Sequence, residues 1–181
     1  MADTQLSSVK LVITDVDGVL TDGSLFYSGE GEIIKRFNVR DGLGIRLLQQ
    51  IGIKVAIVSG RASPPLTRRM ADLGINHFRT GVGDKAAACR EILLELQIDA
   101  RDAIFVGDDI IDIVGFRACG LSAAVADAPD YVRSAATIIL NTKGGEGALR
   151  ELADAIVIAQ GHAKLLAGSG AFEPADGGTR Q

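Results

Sequence analysis

Two pairs of aspartates stand directly after two short apolar runs of the sequence. Asp15 and Asp17 follow residues 9–14, and Asp108 and Asp109 follow residues 103–106 and one glycine. Both runs are dominated by aliphatic and β-branched residues, which favours buried strands. In an open parallel sheet, groups at the carboxyl ends of the strands converge where the strand order reverses. We therefore expect these four carboxylates to face one another across a few ångströms.

A carboxylate cluster of this kind predicts a bound cation. Like charges raise one another's pKa values unless a positive charge lies among them. The candidate ligands are all oxygens, without a nearby His or Cys, and hard oxygen ligands favour Mg²⁺ that shares its coordination shell with water and a phosphate. The alternative is that each aspartate caps a helix or forms a turn. That alternative suits a single aspartate better than a set at two strand ends.

The elements that must position these residues follow from an alternation of apolar runs and helical patterns. This alternation predicts an α/β fold with a doubly wound parallel sheet, in which the first five strands are ordered 3-2-1-4-5. We also expect Asp41 to cap a helix that ends near Ile51. Asp84 is expected to cap a later helix, which begins directly after it. The six expected strands are residues 9–14, 54–58, 77–79, 103–106, 121–125 and 137–140.

Two segments depart from the alternation. Residues 24–38 contain a Gly-rich turn between two strand-like pieces, which predicts a β-hairpin inserted after the first strand. Residues 167–181 are Gly-rich and lack periodicity, which predicts a flexible tail. The organisation expected is one domain over residues 1–166, followed by that tail.

Composition and charge argue against a nucleic-acid or membrane partner. The 181 residues are 47% hydrophobic and 4% aromatic, and the net charge of −4 offers no basic stripe for nucleic acid. No apolar run approaches the roughly 20 residues of a membrane span, and no export signal begins the chain. Cys89 and Cys119 are therefore expected to be buried thiols in a reducing cytoplasm.

Four short motifs resemble those of the haloacid dehalogenase superfamily. The stretch DVDGVLT at residues 15–21 is similar to its opening motif, DxDGxxT. Ser59-Gly60 is similar to its second motif and Lys85 to its third, and GDDIID at residues 107–112 is similar to its fourth. All four occur in the superfamily's order on suitable elements. The resemblance implies a Mg²⁺-dependent phosphatase.

The resemblance also implies which residues carry the reaction. Asp15 would be the nucleophile that forms an aspartyl-phosphate and would bind the metal through its other oxygen. Asp17 would protonate the leaving alcohol and later accept a proton from water, while its main-chain carbonyl binds the metal. Asp108 would be the second carboxylate ligand of the metal.

The remaining motif residues are implied to bind the phosphate or to support the groups around it. Ser59 and the amide of Gly60 would hold phosphate oxygens, and Lys85 would neutralise charge on the transferring group. Lys85 is expected in the first turn of a helix, where the helix dipole disfavours a cation, and this suits a residue placed for a phosphate. Asp109 and Asp112 would orient Lys85 or metal-bound water.

The gaps between the motifs are too short for the cap domain that many superfamily members carry. Within the capless type, the chain resembles the phosphatases of sugar acids. That resemblance implies 3-deoxy-D-manno-octulosonate 8-phosphate as substrate, in lipopolysaccharide precursor synthesis, with a nonulosonate 9-phosphate of the sialic-acid type as the alternative. Arg61 favours the octulosonate, because the rival phosphatases tend to carry Glu there and a guanidinium suits a carboxylate. A homotetramer with active sites shared between subunits is also implied.

Other classes of protein fit the sequence less well. Residues 81–86 match the GxGxxA form of a dinucleotide fingerprint, but they follow the third expected strand rather than the first. A phosphoacceptor receiver module would place its acceptor after that third strand, where residues 78–80 are Phe, Arg and Thr. A catalytically silent scaffold would have no reason to carry the full set of motif residues. A phosphatase assay with and without Mg²⁺ separates these classes.

Overall fold

The computed structural model describes residues 5–168, and its centre is a parallel sheet of six strands. The order of its strands extends the predicted 3-2-1-4-5 arrangement by one strand, so the expected fold class is confirmed. All pairs in this sheet are parallel. The strands are β1 (Leu11–Thr14), β4 (Lys54–Ser59), β5 (His77–Thr80), β6 (Ala103–Gly107), β7 (Leu121–Ala124) and β8 (Ile138–Ile139). Their order in the sheet is β5-β4-β1-β6-β7-β8, and the two strands numbered between β1 and β4 form the hairpin described below.

Strand β1 lies at the middle of the sheet, between β4 and β6. All four of its residues are buried, as are all five of β6. A strand covered on both faces can be apolar throughout, which explains why these runs are continuous rather than alternating. Because β1 and β6 are neighbours in parallel register, their carboxyl ends meet at one edge of the sheet.

Six helices complete the described domain. The predicted cap at Asp84 is confirmed, since its side chain accepts a hydrogen bond from the Ala87 amide. The helices are α1 (Val39–Gln50), α2 (Pro64–Asp72), α3 (Lys85–Leu96), α4 (Ile113–Ala118), α5 (Asp130–Arg133) and α6 (Ala148–Ala159), and short 3₁₀ turns span Ala100–Asp102, Ile110–Asp112 and Ala163–Ala167.

The predicted cap at Asp41 is wrong. Helix α1 begins one turn earlier, and Asn38 caps it by accepting a hydrogen bond from the Arg40 amide. Asp41 lies in the first turn of the helix, where it is 2% exposed and accepts a hydrogen bond from the Arg150 amide at 2.9 Å. Its carboxylate therefore joins α1 to α6 instead of starting α1.

The inserted hairpin forms a separate antiparallel sheet of two strands, β2 (Phe26–Ser28) and β3 (Gly31–Ile34). Its position within residues 24–38 agrees with the prediction. The predicted tail lies outside the described residues apart from Ala167 and Gly168, so its flexibility stays a prediction. No helix among the described residues combines the length and hydropathy that a membrane span requires.

Candidate active site

Asp15 lies at the carboxyl end of β1, with its amide hydrogen-bonded to the Val106 carbonyl at 3.0 Å. The residue is 4% exposed, and its Oδ2 lies 2.7 Å from Lys85 Nζ. The second oxygen, Oδ1, is buried and accepts no hydrogen bond in the structure. A buried carboxylate oxygen without a partner is costly, so this atom is set up for a ligand.

Lys85 is the first residue of α3 and connects two carboxylates. Its Nζ lies 2.7 Å from Asp15 Oδ2 and 2.6 Å from Asp112 Oδ1, and the side chain is 3% exposed. Burial alone would lower the pKa of Lys85, but the two aspartates outweigh burial and raise it. The ammonium therefore stays charged at the amino end of a helix, in spite of the helix dipole.

Asp112 is fully buried and organises the loop after β6. Its Oδ2 accepts hydrogen bonds from the amides of Asp108 and Asp109, at 2.9 and 3.1 Å, while Oδ1 accepts one from Lys85. The structure thus places Asp112 where it can orient Lys85. Asp109 does not reach Lys85, because its Oδ1 accepts a hydrogen bond from the Ile110 amide at 2.6 Å.

Gly18 brings the Asp15 loop against Asp108. Its φ of +90° is a backbone conformation that residues with side chains rarely adopt. A Cβ at this position would lie 2.0 Å from Asp108 Oδ2, so any side chain would push the carboxylate aside. The position of Asp108 therefore requires a glycine at residue 18.

The geometry and electrostatics of this cluster fit a divalent cation. Carboxylate oxygens of Asp15, Asp108 and Asp112 all lie within 4.8 Å of one another. Burial, followed by repulsion from Asp112, raises the pKa of Asp15 to about 7 and that of Asp108 to about 8. Both oxygens of Asp112 are already hydrogen-bonded, so among these three carboxylates those of Asp15 and Asp108 are the ones that could hold the metal. An all-oxygen donor set suits Mg²⁺.

Ser59 is the last residue of β4, the neighbour of β1, and Gly60 follows it. Ser59 is 2% exposed and its Oγ accepts a hydrogen bond from the Arg61 amide at 3.2 Å, while Gly60 is exposed. The structure therefore brings the second motif to the same edge of the sheet as Asp15. A serine hydroxyl and an exposed amide next to this edge can receive phosphate oxygens.

Arg61 extends from this loop to the hairpin. Its guanidinium donates a hydrogen bond to the Tyr27 hydroxyl and lies 5.8 Å from the centre of the Tyr27 ring. The same side chain lies 3.8 Å from an Asp17 oxygen and 3.9 Å from a Glu32 oxygen. Arg61 therefore stands at the opening of the site, among charged groups of both signs.

Asp17 has a hairpin partner that sequence reasoning missed. Lys35 follows β3, and its Nζ forms an ion pair with Asp17 Oδ1 and another with Glu32 Oε1, the latter at 2.7 Å. Its side chain is 1% exposed. The available signal was a lysine directly after two isoleucines, and that pattern fits a surface residue equally well.

The Gly-rich loop before α6 supports the Asp15 loop from outside. A Cβ at Gly144 would lie 1.8 Å from the Gly18 carbonyl oxygen, and the Gly145 amide donates to the Val19 carbonyl at 2.9 Å. Arg36 of the hairpin forms an ion pair with Glu146 of this loop. The glycines at residues 144 and 145 are therefore part of the packing that holds the site together.

Fold and site together define a haloacid dehalogenase-like hydrolase. A model of that family, described as haloacid dehalogenase-like hydrolase, matches residues 79–152, which include Lys85 and the loop after β6. The predicted resemblance to this superfamily is confirmed.

Curated relatives and solved structures identify the group within these hydrolases. The chain is 51% identical over 161 residues to the 3-deoxy-D-manno-octulosonate 8-phosphate phosphatase of Haemophilus influenzae, covering 89% of each chain. It is 44% identical over 154 residues to the Yersinia pestis enzyme of the same name, covering 85% of this chain and 82% of the relative.

Two solved structures agree with this assignment. The cobalt-bound H. influenzae phosphatase superposes with a TM-score of 0.88 at 51% identity, over 89% of this chain and 94% of the other. The Moraxella catarrhalis phosphatase, in complex with magnesium, phosphate and 3-deoxy-D-manno-octulosonate, has a TM-score of 0.88 at 35% identity, over 92% and 96% of the chains. The chain belongs to the 3-deoxy-D-manno-octulosonate 8-phosphate phosphatase family, and the prediction of a phosphoric monoester hydrolase is confirmed.

Proposed function

We propose that this enzyme hydrolyses 3-deoxy-D-manno-octulosonate 8-phosphate to the sugar acid and phosphate, with Mg²⁺, in lipopolysaccharide precursor synthesis. The observation that carries the proposal is the buried, unpartnered Oδ1 of Asp15 beside Lys85, in a chain of this family. Asp15 and Asp108 would hold the metal through their carboxylates, and Asp17 would hold it through its main-chain carbonyl. When bound, Mg²⁺ would neutralise charge on the carboxylates and on the phosphate.

In the first half-reaction, a carboxylate oxygen of Asp15 attacks phosphorus and forms an aspartyl-phosphate. The bond between phosphorus and the sugar oxygen breaks, and Asp17 donates its proton to that leaving oxygen. Lys85, Ser59 and the Gly60 amide would stabilise the charge on the phosphate oxygens.

In the second half-reaction, a water molecule attacks the phosphorus of the aspartyl-phosphate and gives a proton to Asp17. The bond between phosphorus and the Asp15 oxygen breaks, so inorganic phosphate leaves and the carboxylate is restored. Asp17 regains the proton that it lost to the alcohol, and both residues return to their starting states.

The sugar-acid specificity rests on Arg61 and on the relatives. Arg61 has a side chain 40% exposed at the opening of the site, so a substrate carboxylate can reach it. A guanidinium binds a carboxylate with two parallel hydrogen bonds. The second candidate, a nonulosonate 9-phosphate, shares this carboxylate, but the named substrate of the curated relatives is the octulosonate.

The hairpin supports a homotetramer in which subunits complete one another's active sites. Five of its large apolar residues are between 44% and 58% exposed, and exposed apolar surface of this extent marks interfaces. They are Leu25, Phe26, Tyr27, Ile33 and Ile34. We expect light scattering at micromolar concentration to give a tetramer, and a monomer would refute the shared site. Cys89 and Cys119 are free thiols, which supports the proposed cytoplasmic setting.

The test of function is phosphate release from a panel of substrates. We expect the octulosonate 8-phosphate to have the highest kcat/KM, above the nonulosonate 9-phosphate and above hexose phosphates that lack a carboxylate. EDTA should abolish turnover and added Mg²⁺ should restore it. Activity that is indifferent to EDTA would refute the metal assignment, and a higher kcat/KM on the nonulosonate would reverse the choice of substrate.

A further inference from the structure

Lys35 is buried, although it follows a hairpin whose large apolar residues are exposed. Its side chain is 1% exposed, whereas the two residues before it, Ile33 and Ile34, are 51% and 54% exposed. Burying an ammonium is costly unless it is paired with opposite charge. The hairpin segment thus places Lys35 inward and these two isoleucines outward, the reverse of the usual arrangement for these residue types.

The partners of Lys35 explain this inversion. Its Nζ lies 2.7 Å from Glu32 Oε1 and donates a hydrogen bond to Asp17 Oδ1. Glu32 belongs to the same strand, with a side chain 5% exposed, so it anchors the lysine within the hairpin. Asp17 belongs to the loop after β1, so the second bond leaves the hairpin and ends on a motif residue.

The two oxygens of Asp17 are held differently. Oδ2 is 3.8 Å from Arg61 Nε, which is too long for a hydrogen bond, whereas Oδ1 is directly bonded to Lys35. The Asp17 side chain is 18% exposed, and within the part of the chain that the structure describes the Lys35 bond is the only side-chain hydrogen bond that it accepts. The direction of its carboxylate is therefore set from the hairpin rather than from the core.

We propose that Lys35 is a positioning residue that holds the Asp17 carboxylate in line with the leaving oxygen of the substrate. The inference rests on the proposed function, in which Asp17 is the general acid. A general acid must lie within hydrogen-bond reach of the oxygen that it protonates, and small misplacements lower the rate steeply. Lys35 thereby connects the hairpin to proton transfer.

The test compares two leaving groups on substrates that lack a sugar. Phenolate is more basic than p-nitrophenolate, so phenyl phosphate depends more on protonation than p-nitrophenyl phosphate does. Lys35→Met should lower kcat/KM on phenyl phosphate by about tenfold more than on p-nitrophenyl phosphate, which is part of the roughly 10²–10⁴-fold value of a general acid. Lys35→Arg should recover much of the difference. Lys10→Met, which removes an exposed lysine paired with Asp102, should leave both rates unchanged.

Asp17→Asn separates this inference from the proposed function. If Asp17→Asn shows no dependence on the leaving group, Asp17 is not the general acid and the proposed function fails at that residue. If Asp17→Asn shows the dependence and Lys35→Met lowers both substrates equally, Lys35 serves only to hold the hairpin and the inference is overturned. Circular dichroism and light scattering monitor folding and assembly. Should Lys35→Met not fold, Glu32→Gln, which removes the other anchor of the ammonium, must show the same leaving-group effect at smaller size.

Discussion

The two sides of the active site are built in opposite ways. On the nucleophile side, Asp15, Lys85 and Asp112 come from the strand ends and helix start of the core, and each is at most 4% exposed. On the acid–base side, Asp17 contacts Lys35 of the hairpin, whose large apolar residues are about half exposed. One side is completed within the domain, and the other depends on an element that packs only partly against it.

This difference separates the part of the site that the central sheet supplies from the part that depends on the hairpin. The position of Asp15 follows from the parallel register of β1 with its neighbours, and Lys85 begins the helix that follows β5, so both belong to the sheet and its connections. The position of Asp17 depends also on the hairpin, and a two-stranded sheet is marginally stable by itself. We expect nucleophilic attack to be robust to surface changes and proton transfer to be sensitive to them.

The largest expected effect is on the nucleophile side. Asp15→Asn should lower kcat by about 10⁴-fold or more, because an amide is a poor nucleophile and loss of a nucleophile stops the covalent route. Burial raises the pKa of Asp15 from 3.8 to about 7, so its ionised form destabilises the folded state and Asp15→Asn should raise the free energy of unfolding at pH values above this window. Phosphate release and denaturant unfolding measure both quantities, with the exposed Asp72→Asn as control. Retention of more than a few per cent of activity would disprove the covalent mechanism.

Asp41 sharpens the comparison, since it is a buried carboxyl that hydrogen-bonds to backbone amides rather than to a lysine. Burial raises its pKa from 3.8 to about 6. The folded state therefore holds the proton more tightly, and the free energy of unfolding should fall by roughly 3 kcal/mol as pH rises through the window between these values. Relative to wild type, Asp41→Asn should gain stability over that window and keep a constant difference above it. Denaturant unfolding at several pH values tests this, and a difference independent of pH would contradict it.

The smallest effect is expected at Arg61, on the hairpin side. Arg61→Ala should lower kcat/KM for the octulosonate 8-phosphate about tenfold more than for phenyl phosphate, because a charge-assisted hydrogen bond to the sugar carboxylate is lost. Both substrates should lose some rate, since Arg61 also lies 3.8 Å from Asp17. Arg68→Ala, on the exposed face of α2, is the matched control. Equal losses on the two substrates would show that Arg61 serves the phosphate or the hairpin.

The sheet and the nucleophile side were predictable because their signals are local. Apolar runs marked the strands, and the motif aspartates stood directly after two of them, so the topology alone brought Asp15 and Asp108 together. The ion pairs of Lys85 with two aspartates also agree with the placement of a cation at an unfavourable helix end.

Residues whose partners are remote in sequence could not be assigned in this way. Aspartate is a residue type that commonly caps helices, but the Asp41 carboxylate accepts a hydrogen bond from the Arg150 amide, 109 positions along the chain. Lys35 resembles a surface lysine until the hairpin folds back over Asp17. In each case tertiary geometry, which the sequence pattern does not contain, decided the role.

The central position of β1 also affects how the chain folds during synthesis. Its first partner, β4, is synthesised before its second partner, β6. Leu11 of β1 pairs with Ala103 of β6, roughly ninety residues further along the chain, and such distant pairings are slow to form. Until β6 emerges, one edge of β1 has unpaired backbone groups, which favours association with other chains. Asp15 also lacks the loop that carries Asp108 and Asp112 during this interval. A nascent chain can therefore gain activity only after the open edge of β1 has been covered by β6.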